Sequence, residues 1–266
     1  MSPSPFALLG LTPDELIGRS ATSMIHPDRV GELLPILSQP PGTRSFTSDT
    51  QLLRADGTAV WVAASTSVVY DAETGRALEF RASLRDITDR KSLEQKLEQQ
   101  ALHDPLTGLA NRELLKRNLV EATEGNGDDE LVVLLLDLDG FKEVSDTFGH
   151  AVGDVVLQTI ADRLRELTRS SDTLARTGGD EFVLLCPQID EEAGVTVAER
   201  IVRAVRAPVF AGDVVIELGA SVGVAHGEGE AADADRLLLD ADRAMYAAKR
   251  AGRGCVRTAT HVGLRA

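Results

Sequence analysis

Cysteine, aromatic side chains and long apolar runs are all scarce in this 266-residue chain, and each scarcity excludes something. The two cysteines, Cys186 and Cys255, cannot form a disulfide framework and lack metal-ligand spacing, so reduced thiols are the simplest state. No apolar stretch approaches the roughly 18 to 20 residues that span a bilayer. No basic segment followed by an apolar one opens the chain either. These absences predict a cytoplasmic protein with no membrane segment. Positive charge is short as well: 28 Lys and Arg stand against 42 Asp and Glu, a formal net charge of -14. That balance argues against a general binder of nucleic acid, which needs clustered cations to replace counterions. His26 and His150 lack the carboxylate or cysteine company of a catalytic or metal-bound imidazole, and structural hydrogen bonds are expected for both.

What the chain does have is 43% hydrophobic residues, enough for the cores of two domains, and two acidic strand ends. The apolar run Leu131 to Leu136 stops at Asp137-Leu138-Asp139. Farther on, Arg176-Thr177-Gly178-Gly179-Asp180-Glu181 puts two carboxylates on a tight glycine turn ahead of the apolar run Phe182 to Leu185. Together they suggest a site for a hard divalent cation such as Mg²⁺, which needs only one or two protein carboxylates when phosphates and water complete its octahedron. The expected substrate is a nucleotide.

Periodicity divides the chain. Thr12-Pro13-Asp14-Glu15 has the capping threonine, first-turn proline and returning glutamate of a helix start. Ser45 to Leu53 and Thr58 to Tyr70 are strand-like and flank the turn Ala55-Asp56-Gly57, which predicts a hairpin. A turn from Asp71 to Gly75 leads to a third strand, Leu78 to Leu84, and Trp61 is expected in the core. From Lys91 to Leu102, Leu93 and Leu97 recur at helical spacing without Gly or Pro. A helix this short is marginal alone, so it either pairs with a second copy as a short parallel coiled coil or lies on its own domain.

After residue 103, strand patterns at Leu131 to Asp137 and Val214 to Val224 enclose two helices and a hairpin. One helix carries Val156, Ile160 and Leu164 on a face, the hairpin turns at Gly178-Gly179, and the second helix carries Val197, Ile201 and Val205. The order β-α-β-β-α-β is the split arrangement of ferredoxin-like folds. In such a sheet the first strand lies beside the central hairpin, so Asp137 and Asp139 can approach Asp180 and Glu181. A last helix, with Leu238, Ala241, Met245 and Ala248 at helical intervals, ends at Gly252.

The first ninety residues resemble a PAS domain, a small sensor module, through Leu8-Leu9-Gly10-Leu11-Thr12-Pro13-Asp14-Glu15-Leu16-Ile17-Gly18, Ile25-His26-Pro27-Asp28, Arg54-Ala55-Asp56-Gly57-Thr58-Ala59-Val60-Trp61-Val62 and Arg85-Asp86-Ile87-Thr88-Asp89-Arg90-Lys91. A complete PAS domain carries two further strands before the segment that begins here at Ser2. The resemblance therefore implies either a truncated module or one whose sheet edge a neighbouring subunit completes. The sensor ligand is unknown, and the lack of cysteine in this part argues against a flavin-thiol photosensor.

From Asp104 to Arg257 the chain resembles the GGDEF family of diguanylate cyclases. The motifs are Asp104-Pro105-Leu106-Thr107-Gly108-Leu109-Ala110-Asn111-Arg112, the run from Asp137-Leu138-Asp139-Gly140-Phe141-Lys142 to Gly153-Asp154, the signature Gly178-Gly179-Asp180-Glu181-Phe182, Ser221-Val222-Gly223-Val224-Ala225, and Ala241-Asp242-Arg243-Ala244-Met245-Tyr246 through Arg253. The expected fold class is α+β: a PAS-like mixed α/β sensor (1–90), a linker helix (91–103) and a ferredoxin-like βαββαβ domain of nucleotidyl-cyclase type (104–260). The resemblance implies condensation of two GTP into cyclic di-GMP and two pyrophosphates across a homodimer, with Mg²⁺, or Mn²⁺ in its place, as cofactor. The alternative is a GTP or cyclic di-GMP receptor without turnover.

Carried over motif by motif, the resemblance puts metal ligands at Asp137, the Leu138 carbonyl and Asp180, with Glu181 either a further ligand or an aid to deprotonation. Asp180, Glu181 and Lys142 are the catalytic set. Substrate contacts fall on Phe141, Lys142, Gly178, Gly179, Lys249 and Arg253, with Ser145 and Asp154 reading guanine. Lys249 and Arg253 would otherwise complement a helix C-terminus. Ser145 stands where the family normally has Asn, and its hydroxyl makes fewer bonds than an amide, so weaker or more relaxed base selection is expected. Arg169 and Asp172, separated from Gly178 by five residues, match the family's product-inhibition motif, with Arg200 as a secondary contact; cyclic di-GMP is thus expected as both product and inhibitor.

Overall fold

The structure, a computed structural model, describes residues 5–17, 19–31, 45–71, 73–74, 77–123, 130–228 and 233–259; Ser2, Gly18 and Gly75 lie outside them. Contacts divide the chain into two compact units, Met1–Leu97 and Glu98–Ala266. No helix among the described residues is long and apolar enough to cross a membrane.

The first unit contains α1 (Pro5–Leu9), α2 (Pro13–Leu16) and a three-stranded antiparallel sheet in the order β1 (Ser45–Leu53), β2 (Ala59–Tyr70), β3 (Ala77–Asp86). The predicted capping box closes at α2, where Thr12 N donates to Glu15 Oε2 at 2.8 Å. In the β1–β2 turn Asp56 Oδ1 accepts from Thr58 N at 2.9 Å, and Gly57 takes φ +82°, which a side chain would resist. Leu9, Leu52, Val60 and Val62 form the core of this unit. Trp61, expected in that core, is on the other face of the sheet. Alternation along the strand assigns Val60 and Val62 inward and turns the indole outward. There Arg29 and Lys91 approach its ring at 5.0 and 5.5 Å.

A helix α3 (Thr88–Leu102) leaves this sheet. Its start is tied down by Thr88 N to Asp86 Oδ1 at 2.8 Å and by Arg90 to Asp49 at 2.9 Å. Along its length it has no buried residue, and Leu93 and Leu97 are 58% and 56% exposed.

The second unit runs α4 (Arg112–Thr123), β4 (Glu130–Asp139), α5 (Phe141–Phe148), α6 (His150–Leu167), β5 (Thr173–Gly178), β6 (Glu181–Pro187), α7 (Glu191–Val205), β7 (Val209–Ala211), β8 (Val214–Ile216), β9 (Gly219–Glu228), α8 (Ala234–Arg250) and β10 (Val256–Thr258). Its five-stranded sheet has the order β10-β9-β4-β6-β5. The last four of these reproduce the predicted ferredoxin-like arrangement. The single strand expected from Val214 to Val224 is instead two. Val214–Ile216 pairs with Val209–Ala211 in a separate two-stranded ribbon, and a new strand begins at Gly219.

Strand β4 is apolar on both faces because helices cover both. Val132, Leu134, Leu136 and Leu138 face α6 and α7, packing with Val156, Ile160 and Ile201. Leu131, Val133 and Leu135 face α4 and α8, packing with Leu115, Leu119, Ala241 and Met245. The α8 side is held very close: a Cβ on Gly223 of β9 would lie 2.1 Å from the Ala241 carbonyl oxygen. Gly223→Ala should therefore destabilise the unit by about 3 kcal/mol, lowering Tm by ~10 °C in a thermal melt.

Candidate active site

The two-residue period that sorts the core also aims the carboxylates. Asp137 follows Val133 and Leu135 onto the α4/α8 face, and the β4–β6 register sets it directly opposite Glu181. The hairpin tip between β5 and β6 needs its glycines: Gly178 and Gly179 take φ +149° and +52°. This turn brings Asp180 back over the end of β4, where Leu138 N donates to the Asp180 carbonyl at 3.3 Å. Burial raises the Asp180 carboxyl above its ordinary value, and the negative charge of Asp137 adds to the rise. A position that disfavours a second negative charge favours an added cation.

Among the described residues no group of three or more carboxylate, imidazole or thiol side chains closes into a metal cage. The residues nonetheless fit a hard divalent ion. Asp137 and Asp180 offer the one or two protein carboxylates that such an ion needs when phosphate and water complete its shell. From α8, Lys249 reaches the same point, its Nζ 2.7 Å from Asp137 Oδ2. Arg253, just past the helix, is exposed in a left-handed conformation with φ +63°.

On the far side of β4, Gly140 takes φ +84° as the cap of α5, leaving the first amides of that helix open beside Phe141 and Lys142. Lys142 and Asp154 are exposed, and the structure gives neither a bond to the Asp137 group. Ser145 is engaged: its hydroxyl lies 3.1 Å from His150 Nδ1. Gly153 keeps α6 close to this surface, since a Cβ there would lie 3.3 Å from Phe141 Cζ and 3.5 Å from Ser145 Oγ.

Arg169 and Asp172 share one turn between α6 and β5, with Arg169 N donating to Asp172 Oδ2 at 2.8 Å. Arg200 stands exposed on α7 without an ion pair among the described residues. Beneath this turn is Cys186, whose thiol burial pushes up to about 12, with the Asp172 charge contributing.

Two supports were missed in the sequence. Arg176 forms a fork, donating from Nη1 to both Asp104 oxygens at 3.0 and 3.1 Å and from Nη2 to the Gly179 carbonyl at 2.7 Å. It thereby links the Asp104–Thr107 turn to the hairpin tip. Burial alone would raise Asp104, but hydrogen bonds from Thr107 and Arg176 hold its carboxyl below the usual range. Asp139, one strand repeat beyond Asp137, accepts from Ser221 Oγ at 2.8 Å and from Gly254 N at 2.9 Å. It fastens the segment that carries Arg253. Their signals were present: an Asp three residues before Thr marks a side-chain-capped turn, and a second Asp at i+2 shares the face of the first.

Comparison with known proteins gives the chain's relatives. Residues 101–255 match the family model described as diguanylate cyclase, GGDEF domain, and residues 5–89 match a PAS domain. A bifunctional diguanylate cyclase/cyclic di-GMP phosphodiesterase, MucR of Pseudomonas aeruginosa, is 40% identical over 66% of this chain and 26% of its own length. The diguanylate cyclase TpbB of the same species is 43% identical over 61% of this chain and 38% of its own length. The chain thus spans well under half of these curated relatives. Among solved structures, the coiled coil and GGDEF domain of DgcB from Caulobacter crescentus, in complex with c-di-GMP, superposes with a TM-score of 0.58 at 31% identity, covering 64% of this chain and 91% of that one.

Three measurements probe the electrostatics. Because the folded Asp180 carboxyl is raised, its ionisation costs stability above its unfolded value, and the cost is relieved as pH falls. Asp180→Asn should then raise Tm at neutral pH in metal-free buffer, by ~2 °C for a gain of about 1 kcal/mol or less. Arg176→Ala strands a largely buried carboxylate and should cost about 3 to 5 kcal/mol. The depressed Asp104 contributes stability above its unfolded value and loses it as pH falls through the folded one. The stability gap between the wild type and Asp104→Asn should accordingly narrow below about pH 4 in denaturant titrations.

Proposed function

Because the chain belongs to the family of diguanylate cyclase GGDEF domains, we propose that it condenses two GTP molecules into cyclic di-GMP, releasing two pyrophosphates. The observation that carries this reading is the convergence of Asp137, Asp180 and Glu181 with the Lys249 ammonium at one end of the sheet. A divalent ion, Mg²⁺ or Mn²⁺, supplies charge neutralisation at the reacting phosphorus when bound. Asp137, the Leu138 carbonyl and Asp180 hold it. Glu181, opposite Asp137, either ligates a second ion or takes the proton of the attacking 3′-hydroxyl.

Phosphate oxygens are met by the open amides at the start of α5, by Lys142, and by Lys249 and Arg253. Gly178 and Gly179 let the nucleotide approach the backbone. Asp154 accepts from the N–H edge of guanine, and Ser145 completes the base contact with the hydroxyl that also bonds His150. Each domain holds one GTP, so turnover requires a homodimer in which two sites face each other. The apolar Leu93 and Leu97, exposed along α3, support pairing of two linkers in a parallel coiled coil. Through that helix a PAS sensor (1–90) and linker (91–103) would set how the catalytic domains (104–260) meet. Cyclic di-GMP acts back through Arg169, Asp172 and Arg200, an arginine fork and a carboxylate suited to phosphate and guanine. GTP as substrate makes the cytoplasm the working compartment.

Incubation with Mg²⁺ and GTP, followed by nucleotide chromatography, should yield cyclic di-GMP, with Asp180→Asn giving none. No product across a range of protein concentrations would leave a GTP or cyclic di-GMP receptor as the reading. Ser145→Asn should sharpen GTP preference over ATP and ITP by roughly 5-fold, the worth of one hydrogen bond. Arg169→Ala should abolish product inhibition in initial-rate assays.

A further inference from the structure

Both oxygens of Asp139 are engaged inside the protein. Oδ1 accepts from the hydroxyl of Ser221, a fully buried residue, and Oδ2 accepts from Gly254 N at 2.9 Å. Across the β4–β9 register stands Gly219, where a Cβ would lie 3.0 Å from Oδ2, so the carboxylate fits closely against β9. Its neighbour Asp137, two residues back on the same side of β4, differs: that carboxylate bonds the Lys249 ammonium at the metal end of the sheet.

The peptide that Asp139 holds belongs to an unusual bend. Gly252, Arg253 and Gly254 take φ values of +113°, +63° and +58°, three positive angles in succession. Glycine accepts such angles freely, whereas the Cβ of Arg253 crowds its own backbone. A residue other than glycine keeps this conformation only where its surroundings over-determine it. Here they do so from four sides. Arg253 N donates to the Ala248 carbonyl of α8 at 3.2 Å, and Gly254 N to Asp139. The Gly254 carbonyl accepts from Arg206 Nη2 at 2.7 Å, at the end of α7, and the Cys255 carbonyl accepts from Val222 N at 3.0 Å as β10 begins beside β9. The Arg253 side chain, by contrast, is exposed and has no partner among the described residues.

A cation kept in a disfavoured backbone conformation by four bonds, and left unpaired, is a cation on offer to a ligand. Its neighbours say which ligand. Asp139 and Asp137 are two strand residues apart, roughly 6.6 Å, a span that an arginine side chain covers. We propose that Asp139 and Arg206 are positioning residues: from opposite sides they clamp the Gly254 peptide, so that Arg253 directs its guanidinium at the phosphates of a nucleotide held at Asp137 and Asp180. A planar fork set in one direction bonds two phosphate oxygens at once, which a freely swinging one does less often. The phosphate contact of Arg253 rests on the cyclase reading; the clamp names the residues that set it, and assigns Asp139 to the bend and not to the metal.

Calorimetric titration of the full chain with inorganic pyrophosphate in Mg²⁺ reads that contact without turnover. Arg253→Ala and Asp139→Ala should each weaken pyrophosphate by about tenfold, the worth of a charge-assisted bond, and Arg206→Ala, at an exposed position, by about threefold. Because Asp139 acts through the arginine, the double variant Asp139→Ala, Arg253→Ala should bind no more weakly than Arg253→Ala alone. Asp139→Asn, which keeps an oxygen for Gly254 N, should restore affinity to within about twofold of wild type. Should Asp139→Ala lose its cooperative melt, Arg206→Ala combined with Arg253→Ala supplies the same cycle. Effects that multiply in the double variant, wild-type affinity in Arg206→Ala, a higher Mg²⁺ requirement in Asp139→Ala, or no pyrophosphate binding by the wild type would overturn the clamp. Failure of the cyclase reading shows separately, as absent cyclic di-GMP from GTP while pyrophosphate still binds.

Discussion

Strand β4 must serve two cores and one acidic end with a repeat of two residues, and much of the second unit follows from that constraint. Even-numbered positions from Val132 to Leu138 belong to the layer of α6 and α7, and odd-numbered ones from Leu131 to Leu135 to the layer of α4 and α8. Asp137 and Asp139 continue the odd series. A one-residue slip would move both carboxylates into the wrong layer and expose the leucines that hold the sheet. Packing energy thereby fixes the direction of the acids, which on their own would prefer water.

Holding those acids near one another requires polar supports that cost as well as stabilise. Asp137 and Glu181 are cross-strand neighbours of like charge, a pairing that destabilises a sheet. Lys249 offsets part of it through its bond to Asp137. Around them Arg176 bridges Asp104 to the glycine turn, and Asp139 bridges Ser221 to Gly254. Both bridges tie together segments that are far apart along the chain, so the site's shape is set by side-chain bonds of long range in sequence.

Legibility in the sequence followed the range of the interaction. The capping box at Thr12, the turn at Gly57 and the apolar run of β4 are local patterns, and each appears where its residues predicted. The approach of Asp137 to the hairpin tip was also readable, because topology follows from element order. Trp61 misled because its hydrophobicity outweighed its register: Val60 and Val62 had already claimed the inner face. Val214 to Val224 misled because a continuous β-rich stretch hides the break at Glu217 and Leu218, where pairing partners change from β7 to β4. The Arg176–Asp104 and Asp139–Gly254 bonds join distant segments, and the local spacings that mark Asp104 and Asp139 do not name their far partners.

The buried thiol under the Arg169–Asp172 turn has a consequence for chemistry in the cell. Oxidants and electrophiles react with thiolate, and a cysteine held near 12 is almost wholly protonated at neutral pH. Cys186 is therefore a silent sulfur: it fills space beneath an exposed ionic turn without lending that turn any sensitivity to peroxide or to the glutathione balance.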